Sequence, residues 1–357
     1  MTVQTADAIM RKVVIGMSGG VDSSVAALLL KEQGYDVIGV TMKLHNTEHA
    51  DDGCCSVSSA NDALAVAEKI GIPHYVMNFT DDFERHVIDY FVREYKSGRT
   101  PNPCTACNKY IKFNALLEKA KALGAEYVAT GHYAKIEKEN GRYLLRRAAD
   151  MKKDQTYFLY QMTQYQLSHT LMPLFGITKD ETRRLASSLG LKVADKKDSQ
   201  EICFVTDNDY ASFIEAREGA SPQGDFVFRD RKVGTHKGII HYTVGQRKGL
   251  GIALGESVYV TKIDPVANLV YLDTDEGRRK AELTASHISF IPFETLEQPI
   301  KCTAKIRYNA ADKPCMVSPC ENGVKVLFDE PQLAVTPGQS VVFYDKNTVL
   351  GGGIIDA

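Results

Sequence analysis

The sequence has no long apolar run, and this absence excludes a membrane-spanning helix. Its longest unbroken stretch of apolar residues covers only six positions, Val25 to Leu30, whereas a spanning helix needs about 18 or more. The first ten residues also contain no apolar segment of signal-peptide length. We therefore expect the protein to act in the cytoplasm.

An excess of charge of one sign is also missing. The 43 Lys and Arg residues nearly balance the 45 Asp and Glu residues, which leaves a net charge of −2 over 357 residues. No overall field therefore demands a nucleic-acid partner, although a local basic face can still bind one. The stretches 226–250 and 135–153 are locally basic, and on their own such stretches are more typical of a solvated surface.

Cysteine is scarce as well, with eight residues in the whole chain. This density is far below that of a disulfide scaffold, so in a reducing compartment we expect the thiols to be buried, metal-bound or catalytic. Cys302, Cys315 and Cys320 lie in a strand-rich tail and are interpreted as structural. For Cys54 and Cys55 we also favour a structural loop over a metal site.

Strand and helix signals alternate along residues 1–207. Short apolar runs bounded by glycine, such as Lys12 to Met17, alternate with segments of helical periodicity, such as Val21 to Gln33. This order predicts an α/β catalytic domain with a doubly wound parallel sheet. We expect residues 208–278 to form a small connector domain, and the short strands within 279–357 predict an all-β barrel.

One loop has the position and composition of a phosphate-binding loop. The segment 18–23, Ser-Gly-Gly-Val-Asp-Ser, joins the first predicted strand to the first predicted helix, and doubly wound sheets bind ligands at the carboxyl ends of strands. A helix N-terminus there attracts an anion, the glycines let the backbone close on a phosphate, and Asp22 is a candidate holder of Mg2+. The loop lacks the spacing of a Walker loop and of a dinucleotide-binding turn.

This motif resembles the PP-loop of the ATP pyrophosphatases. The resemblance implies cleavage of ATP between its α and β phosphates, adenylation of a carbonyl oxygen, release of pyrophosphate and displacement of AMP by a nucleophile. The loop alone leaves several activities open, among them those of amidating ligases, RNA thiolases and lysidine synthetases.

Cys104, Cys107 and Cys203 narrow the choice. The first two follow the rigid segment 101–103, Pro-Asn-Pro, just before a predicted helix, where the helix N-terminus and nearby lysines favour a thiolate. Three interpretations compete. A structural zinc site wants four ligands and matches poorly, while three cysteines can hold an iron–sulfur cluster. A persulfide with a resolving thiol fits best, because sulfur transfer to an activated carbonyl needs a soft nucleophile.

Longer motifs, in one order along the chain, resemble the family of tRNA-specific 2-thiouridylases. They are Thr-Pro-Asn-Pro-Cys-x-x-Cys-Asn at 100–108, Ala-Thr-Gly-His-Tyr at 129–133, Lys-Asp-Gln-x-Tyr-Phe-Leu at 153–159 and Lys-Asp-Ser-Gln-Glu-Ile-Cys-Phe at 197–204, with further matches at 243–251, 305–308 and 336–340. The resemblance implies an ATP- and Mg2+-dependent enzyme that adenylates the 2-carbonyl of the wobble uridine and replaces its oxygen with persulfide sulfur. It also implies a tRNA partner read at the anticodon loop, and a cysteine desulfurase or sulfur-relay protein.

The same resemblance implies roles for individual residues. Cys107 matches the nucleophile and Cys203 the persulfide carrier, with a disulfide between them as by-product. The implied ATP-binding residues are Gly16, Met17, Ser18, Gly19, Gly20, Val21, Asp22, Ser23, Met42 and Gly131. The implied contacts with tRNA or its target base are Asn102, Pro103, Cys104, His132, Lys153, Asp154, Gln155, Arg307, Tyr308 and Gln339. Some relatives have Asp where Cys104 stands, so no carboxylate role is assumed there, and we interpret Cys104 as a residue that only lines the site.

Two other functions stay open at this point. An amidating ligase of the PP-loop type has no use for three cysteines or for a β domain with basic loops. A tRNA-binding persulfide carrier without chemistry is disfavoured by the intact Asp22 and loop serines. Tyr133, Tyr157, Phe158 and Tyr308 are candidates for stacking on a splayed base, with core packing favoured for Phe158.

Overall fold

The structure is a computed structural model that describes residues 10–45, 57–196, 202–205 and 209–356. Cys54, Cys55 and the motif residues 197–201 lie outside the described residues. In the first part of the chain the elements are β1 (Lys12–Gly16), α1 (Val21–Glu32), β2 (Asp36–Lys43), α2 (Val57–Ile70), β3 (His74–Asn78), α3 (Thr80–Phe83), α4 (Asp89–Lys96), α5 (Pro103–Cys107), α6 (Leu116–Ala122), β4 (Tyr127–Ala129), β5 (Ala134–Glu139), β6 (Arg142–Arg147), α7 (Gln164–Ser168), β7 (Thr170–Leu171) and α8 (Lys179–Ser188). Two π-helical segments, Glu84–Ile88 and Asn108–Ala115, link α3 to α4 and α5 to α6.

Within the described residues, five parallel strands form one sheet in the order β3-β2-β1-β4-β7. Side chains of β1 alternate between two apolar cores, with Val13 and Ile15 on one face and Val14 on the other. The chain moves from β1 outward to β3 and then returns to β4 on the other side of β1. The switch point of the sheet therefore lies between β1 and β4, and the loops that follow these two strands meet there.

The rest of the chain is dominated by β-structure. Its elements are α9 (Tyr210–Glu218), β8 (Gly224–Phe228), β9 (Arg231–His236), β10 (Tyr259–Asp264), β11 (Leu269–Asp273), β12 (Arg279–Phe290), β13 (Ile300–Lys305), β14 (Lys313–Cys320), β15 (Gly323–Leu333), β16 (Ser340–Asp345) and β17 (Thr348–Ile355). Strands β8 to β11 form a small sheet in the order β10-β11-β8-β9. Strands β12 to β17 form a barrel that the pairing of β12 with β17 closes. The predicted fold class is confirmed, while the boundaries at 207 and 278 stay predictions.

One hairpin of the first part joins the barrel. Strands β5 and β6 are connected by Asn140 and Gly141, whose φ angles of 50° and 82° are those of the tight hairpin turn that the Asn-Gly pair predicts. Strand β6 pairs with β17 at Arg146 and Thr348. Beside this pairing, the nearly buried Arg147 guanidinium lies 3.8 Å from the ring centroid of Tyr344 in the barrel. In the part of the chain that the structure covers, no helix has the length and apolarity to cross a membrane.

Candidate active site

The loop after β1 is shaped by its own serines. Ser23 Oγ accepts from the Ser18 backbone N–H at 3.2 Å and donates to the Gly20 carbonyl at 3.2 Å. Gly20 is the N-cap of α1 and has no side chain to cap the first N–H groups of the helix. Those groups therefore remain available to an anion at the carboxyl edge of the sheet, as the sequence predicts for a phosphate-binding loop.

Two glycines permit this shape because no side chain fits at their positions. Gly19 has a φ of +65°, and a Cβ added there would stand 2.2 Å from the Ser59 carbonyl oxygen at the start of α2. A Cβ on Gly131, in the loop after β4, would stand 2.7 Å from the Asp22 carbonyl carbon. The loops after β1 and β4 thus approach each other backbone to backbone at the switch point. Met42 lies beside them on β2, with its Cε 3.6 Å from where a Cβ of Gly16 would be.

Asp22 is not an isolated carboxylate. Its two oxygens accept from Lys179 Nζ at 2.8 and 2.7 Å, and Tyr133 donates its hydroxyl to Oδ1 at 2.9 Å. The side chain of Lys179 is only 7% exposed. Lys179 and Tyr133 thus orient this carboxylate and balance its charge, and a role for Asp22 in holding Mg2+ stays a prediction.

Sequence reasoning missed Lys179, although a local signal marks its helix. Helix α8 begins with a capping box, in which the Thr178 hydroxyl accepts from the Glu181 N–H and the Glu181 carboxylate accepts from the Thr178 N–H. This Thr-x-x-Glu pattern predicts a helix start. It places Lys179 at the first helical position, from which its side chain reaches α1.

The loop before the cysteines turns into a helix earlier than the sequence predicts, so that Cys104 and Cys107 lie within α5 and not just before a helix. Asn102 is the N-cap of α5, and its Oδ1 accepts from the backbone N–H groups of Cys104 at 3.1 Å and Thr105 at 3.3 Å. Pro103 occupies the first helical position, where its missing N–H costs nothing. Asn102 and the buried Pro103 therefore fix where the helix begins, and Cys104 is the exposed member of this group.

We expect Asn102→Ala to destabilise the protein by about 1 kcal/mol, because the substitution removes the cap of α5. Thiol-dependent activity should fall with it, since Cys104 and Cys107 depend on this helix. Asn102→Ser keeps an N-cap oxygen and should restore most of the stability and most of the activity. Urea unfolding and turnover of the three proteins test this, and a Ser variant as impaired as the Ala variant would contradict a capping role.

Cys107 and Cys203 pack into the same large apolar core. Cys107 ends α5, is 8% exposed, and belongs to the apolar core that also contains Phe83 and Phe91. Cys203 is half-buried, and its neighbour Phe204 packs edge-on against Phe83 at 5.7 Å and Phe91 at 5.2 Å between ring centroids. The structure thus brings the segments of both cysteines to one core, and their chemical roles stay predictions.

His132 lies between the phosphate-binding loop and the π-helical segment that follows the cysteine helix. It follows Gly131, shares a 2.7 Å hydrogen bond through Nδ1 with Thr130 Oγ1, and packs against Phe113 of the π-helical segment. Burial, and secondly the charge of Lys112, hold the pKa of His132 well below 6.5. The imidazole is therefore neutral in the folded protein at physiological pH.

A low pKa of His132 predicts that acid destabilises the protein. Below about pH 6.5 the unfolded chain gains a proton here that the folded chain does not bind, so stability is present above this pH and is lost as the pH falls. Below that pH, this group lowers the free energy of unfolding by up to about 1.4 kcal/mol for each pH unit. His132→Gln should reduce the loss of stability between about pH 7.5 and 5.5, measured by urea unfolding. An identical loss in both proteins would contradict the assignment.

Several predicted tRNA contacts have internal partners. Asp154 is 4% exposed and accepts from Thr156 Oγ1 at 2.7 Å; burial raises the pKa of this carboxyl. Gln155 Oε1 accepts from the Tyr133 backbone N–H at 3.0 Å. Both side chains therefore stabilise the loop through internal hydrogen bonds, and Lys153 beside them is half-buried. The contacts of all three residues with tRNA stay predictions.

The aromatic candidates divide in the same way. Tyr133 and Tyr157 are 2% and 0% exposed, so the prediction that they stack on a base is wrong for this conformation. Phe158 and Tyr308 are half-buried and lie 4.5 Å apart between ring centroids. Arg307 is exposed and donates to the Leu333 carbonyl at 3.2 Å.

The described part of the chain contains no cluster of side chains that could bind a metal ion. No group of three or more His, Cys, Asp and Glu side chains there is close enough to share a metal ion.

In the barrel, Cys302 and Cys315 face each other across β13 and β14 with their sulfurs 3.7 Å apart.

Comparison with known families covers nearly the whole chain. A family model described as a tRNA methyl transferase HUP domain matches residues 11–207. A PRC-barrel model of the same series matches 211–273, and an aminomethyltransferase β-barrel model matches 280–355.

Curated relatives are similar over their full length. The tRNA-specific 2-thiouridylase MnmA of Clostridium acetobutylicum is 57% identical over 352 residues, which is 97% of this chain and 99% of the relative. The tRNA-specific 2-thiouridylase MnmA 2 of Clostridium tetani is 55% identical over the same shares of the two chains. Among solved structures, a 4-thiouridine synthetase–RNA complex with bound ATP aligns at 17% identity and a TM-score of 0.36, covering 58% of this chain and 50% of the other. That likeness is too weak to carry an argument.

Proposed function

Because this chain belongs to the family of tRNA-specific 2-thiouridylases, we propose that it is an ATP-dependent tRNA sulfurtransferase. Its substrate is the wobble uridine of a tRNA, and its products are 2-thiouridine, AMP and pyrophosphate. The observation that carries the proposal is an uncapped, glycine-shaped loop at the switch point, followed in space by His132, which packs against the π-helical segment that continues the cysteine helix. In class it is a transferase of sulfur-containing groups.

The first step takes place at the loop after β1. The free N–H groups at the start of α1 bind phosphate oxygens of ATP, and Gly19 and Gly131 let neighbouring backbone segments pack closely around this loop and fix its shape. Mg2+, when bound, would neutralise charge on the ATP phosphates. The uracil 2-carbonyl oxygen attacks the α phosphate, so that pyrophosphate leaves and the base carries AMP.

The second step takes place at the cysteines. The terminal sulfur of a persulfide on Cys203 attacks C2 of the activated base, and AMP leaves with the original oxygen. The Cys107 thiolate then attacks the Cys203 sulfur, which forms the Cys107–Cys203 disulfide and leaves the transferred sulfur on the base. Electrons balance because the two cysteines are oxidised as the persulfide sulfur is reduced. An external reductant must reopen the disulfide, and a cysteine desulfurase or relay protein must reload Cys203, which suits a reducing cytoplasm.

Exposed basic residues of the connector support an RNA substrate. Arg231, Arg247 and Lys248 are exposed, and within the described residues none of them has an ion pair. Arg247 and Lys248 belong to the segment that begins at Thr243, whose Oγ1 is 3.5 Å from Thr100 Oγ1. By contrast, Lys135 and Arg146 of the β5–β6 hairpin are paired with acids. The connector is therefore the better candidate for phosphate contacts.

Mass analysis of nucleosides tests the proposal. Unmodified tRNA is incubated with the reduced protein, ATP, Mg2+ and a sulfide source, and its nucleosides are separated. Exchange of oxygen for sulfur on uridine, dependent on ATP and accompanied by AMP and pyrophosphate, is the expected result. Methylated nucleosides, which the description of the first family model suggests, or AMP formation without any thiolated base, would overturn it.

A further inference from the structure

The loop before the cysteines is bonded to the C-terminal barrel. The Thr100 backbone N–H donates to the Pro337 carbonyl at 2.8 Å. In the opposite direction, Gln339 Nε2 donates to the Thr100 carbonyl at 2.8 Å and to the Pro101 carbonyl at 3.3 Å. The two carbonyls directly precede Asn102, the cap of the cysteine helix, so the barrel touches the loop at the point where the helix begins.

The fit between turn and loop is close. Gly338 has a φ of +90°, and a Cβ there would stand 2.8 Å from the Thr100 nitrogen and 2.9 Å from its oxygen. Next to it, Arg99 donates to the Ile355 carbonyl at 3.2 Å and to Glu94 at 2.8 Å. Backbone and side chain of the loop are thus both held by the last strand and turn of the barrel.

The connector closes the other side of the loop. A Cβ on Gly98 would lie 2.9 Å from Ile263 Cγ2 of β10, and Thr100 meets Thr243 as described above. The loop is therefore held between two parts of the chain that lie more than 140 residues away in sequence. Its conformation depends on them as well as on its own prolines.

We propose that Gln339 is a positioning residue for the cysteine loop. Its amide fixes the carbonyls of Thr100 and Pro101, and so sets the place of Cys104 and Cys107 relative to the phosphate-binding loop. This role differs from the contact with tRNA that the family resemblance implies for Gln339, and it rests on the proposed function only for its catalytic consequence. Misplacement of a reacting group by about 1 Å can cost about 100-fold in rate.

Gln339→Glu is the sharpest test, because the shape is kept while the Nε2 donor is replaced by an acceptor that repels both carbonyls. Gln339→Ala is the neutral second variant. The matched control is Gln332→Glu in β15, where Gln332 Nε2 bonds locally, to the Glu330 carbonyl two residues away. In full-length protein, we expect the yield of 2-thiouridine per pyrophosphate released to fall by about tenfold or more in both Gln339 variants. The Kd for tRNA should stay unchanged.

A rise in the Kd for tRNA with an unchanged yield per pyrophosphate would overturn the proposal in favour of a direct RNA contact. A second measurement does not depend on the proposed function. The rate of alkylation of Cys107 by iodoacetamide, followed by peptide mass analysis with the exposed Cys320 as internal reference, should rise in the Gln339 variants. If wild-type protein makes no 2-thiouridine, the proposed function fails, but an unchanged alkylation rate alone refutes the positioning role.

Discussion

Cys107→Ser and Cys203→Ser should each lower the formation of 2-thiouridine by at least about 1,000-fold, because a hydroxyl can neither attack a sulfur nor carry a persulfide. Neither substitution changes the phosphate-binding loop or the basic connector surface, so ATP and tRNA should bind as before. Adenylation should also persist, which makes AMP and pyrophosphate appear without thiolated product. Nucleoside mass analysis measures the yield of 2-thiouridine, and pyrophosphate release, followed in parallel, measures adenylation.

The matched control is Cys320→Ser, at an exposed position in the barrel. Full activity of this variant would show that the loss follows from the two named thiols and not from cysteine replacement in general. If either Cys107→Ser or Cys203→Ser still thiolates at the wild-type rate, the scheme with two cysteines is wrong. A loss of tRNA binding in the same variants would instead assign the cysteines to the fold.

Gly19→Ala should nearly abolish adenylation. Its added methyl group would stand 2.2 Å from the Ser59 carbonyl oxygen, at a φ of +65° that L side chains rarely adopt. The loop must move to relieve the clash, and its N–H groups then no longer point at the phosphates. Removal of one preorganised donor typically costs about 100- to 1,000-fold, so we expect at least that loss in pyrophosphate release.

Gly34→Ala at the other end of α1 is the matched control. Gly34 has a similarly positive φ of +83°, but nothing lies within 4 Å of an added Cβ. This variant has the backbone strain, about 1–2 kcal/mol, without the clash. We therefore expect lower stability with normal pyrophosphate release. Equal activity in the Gly19 and Gly34 variants would show that the loop after β1 does not hold the nucleotide.

The sequence predicts the parallel sheet and the position of the phosphate-binding loop well, since both depend on local signals. The cysteines were expected just before a helix, whereas in the structure the helix already begins at Pro103 and continues through a π-helical segment. Such segments have no local sequence signature and are frequent at functional sites.

Long-range partners were beyond the reach of the sequence pattern. The pairing of Asp22 with Lys179 joins residues 157 positions apart, and the bond of Gln339 to Thr100 spans 239. Strand β12, with 12 residues, has a mostly polar, exposed first half that gives no apolar alternation in the sequence. The family resemblance implies roles for many site residues, but it does not distinguish side chains that contact a substrate from side chains that stabilise the loops.

The contacts between the β5–β6 hairpin and the barrel have a consequence for folding during synthesis. Arg147 finds Asp312 and Tyr344 only after most of the polypeptide has been synthesised, and the partner of Arg146 is Thr348, near the C-terminus. During translation the hairpin therefore lacks these barrel contacts until the later residues have emerged from the ribosome. Contacts of such sequence separation form slowly, and unpaired strand edges favour aggregation.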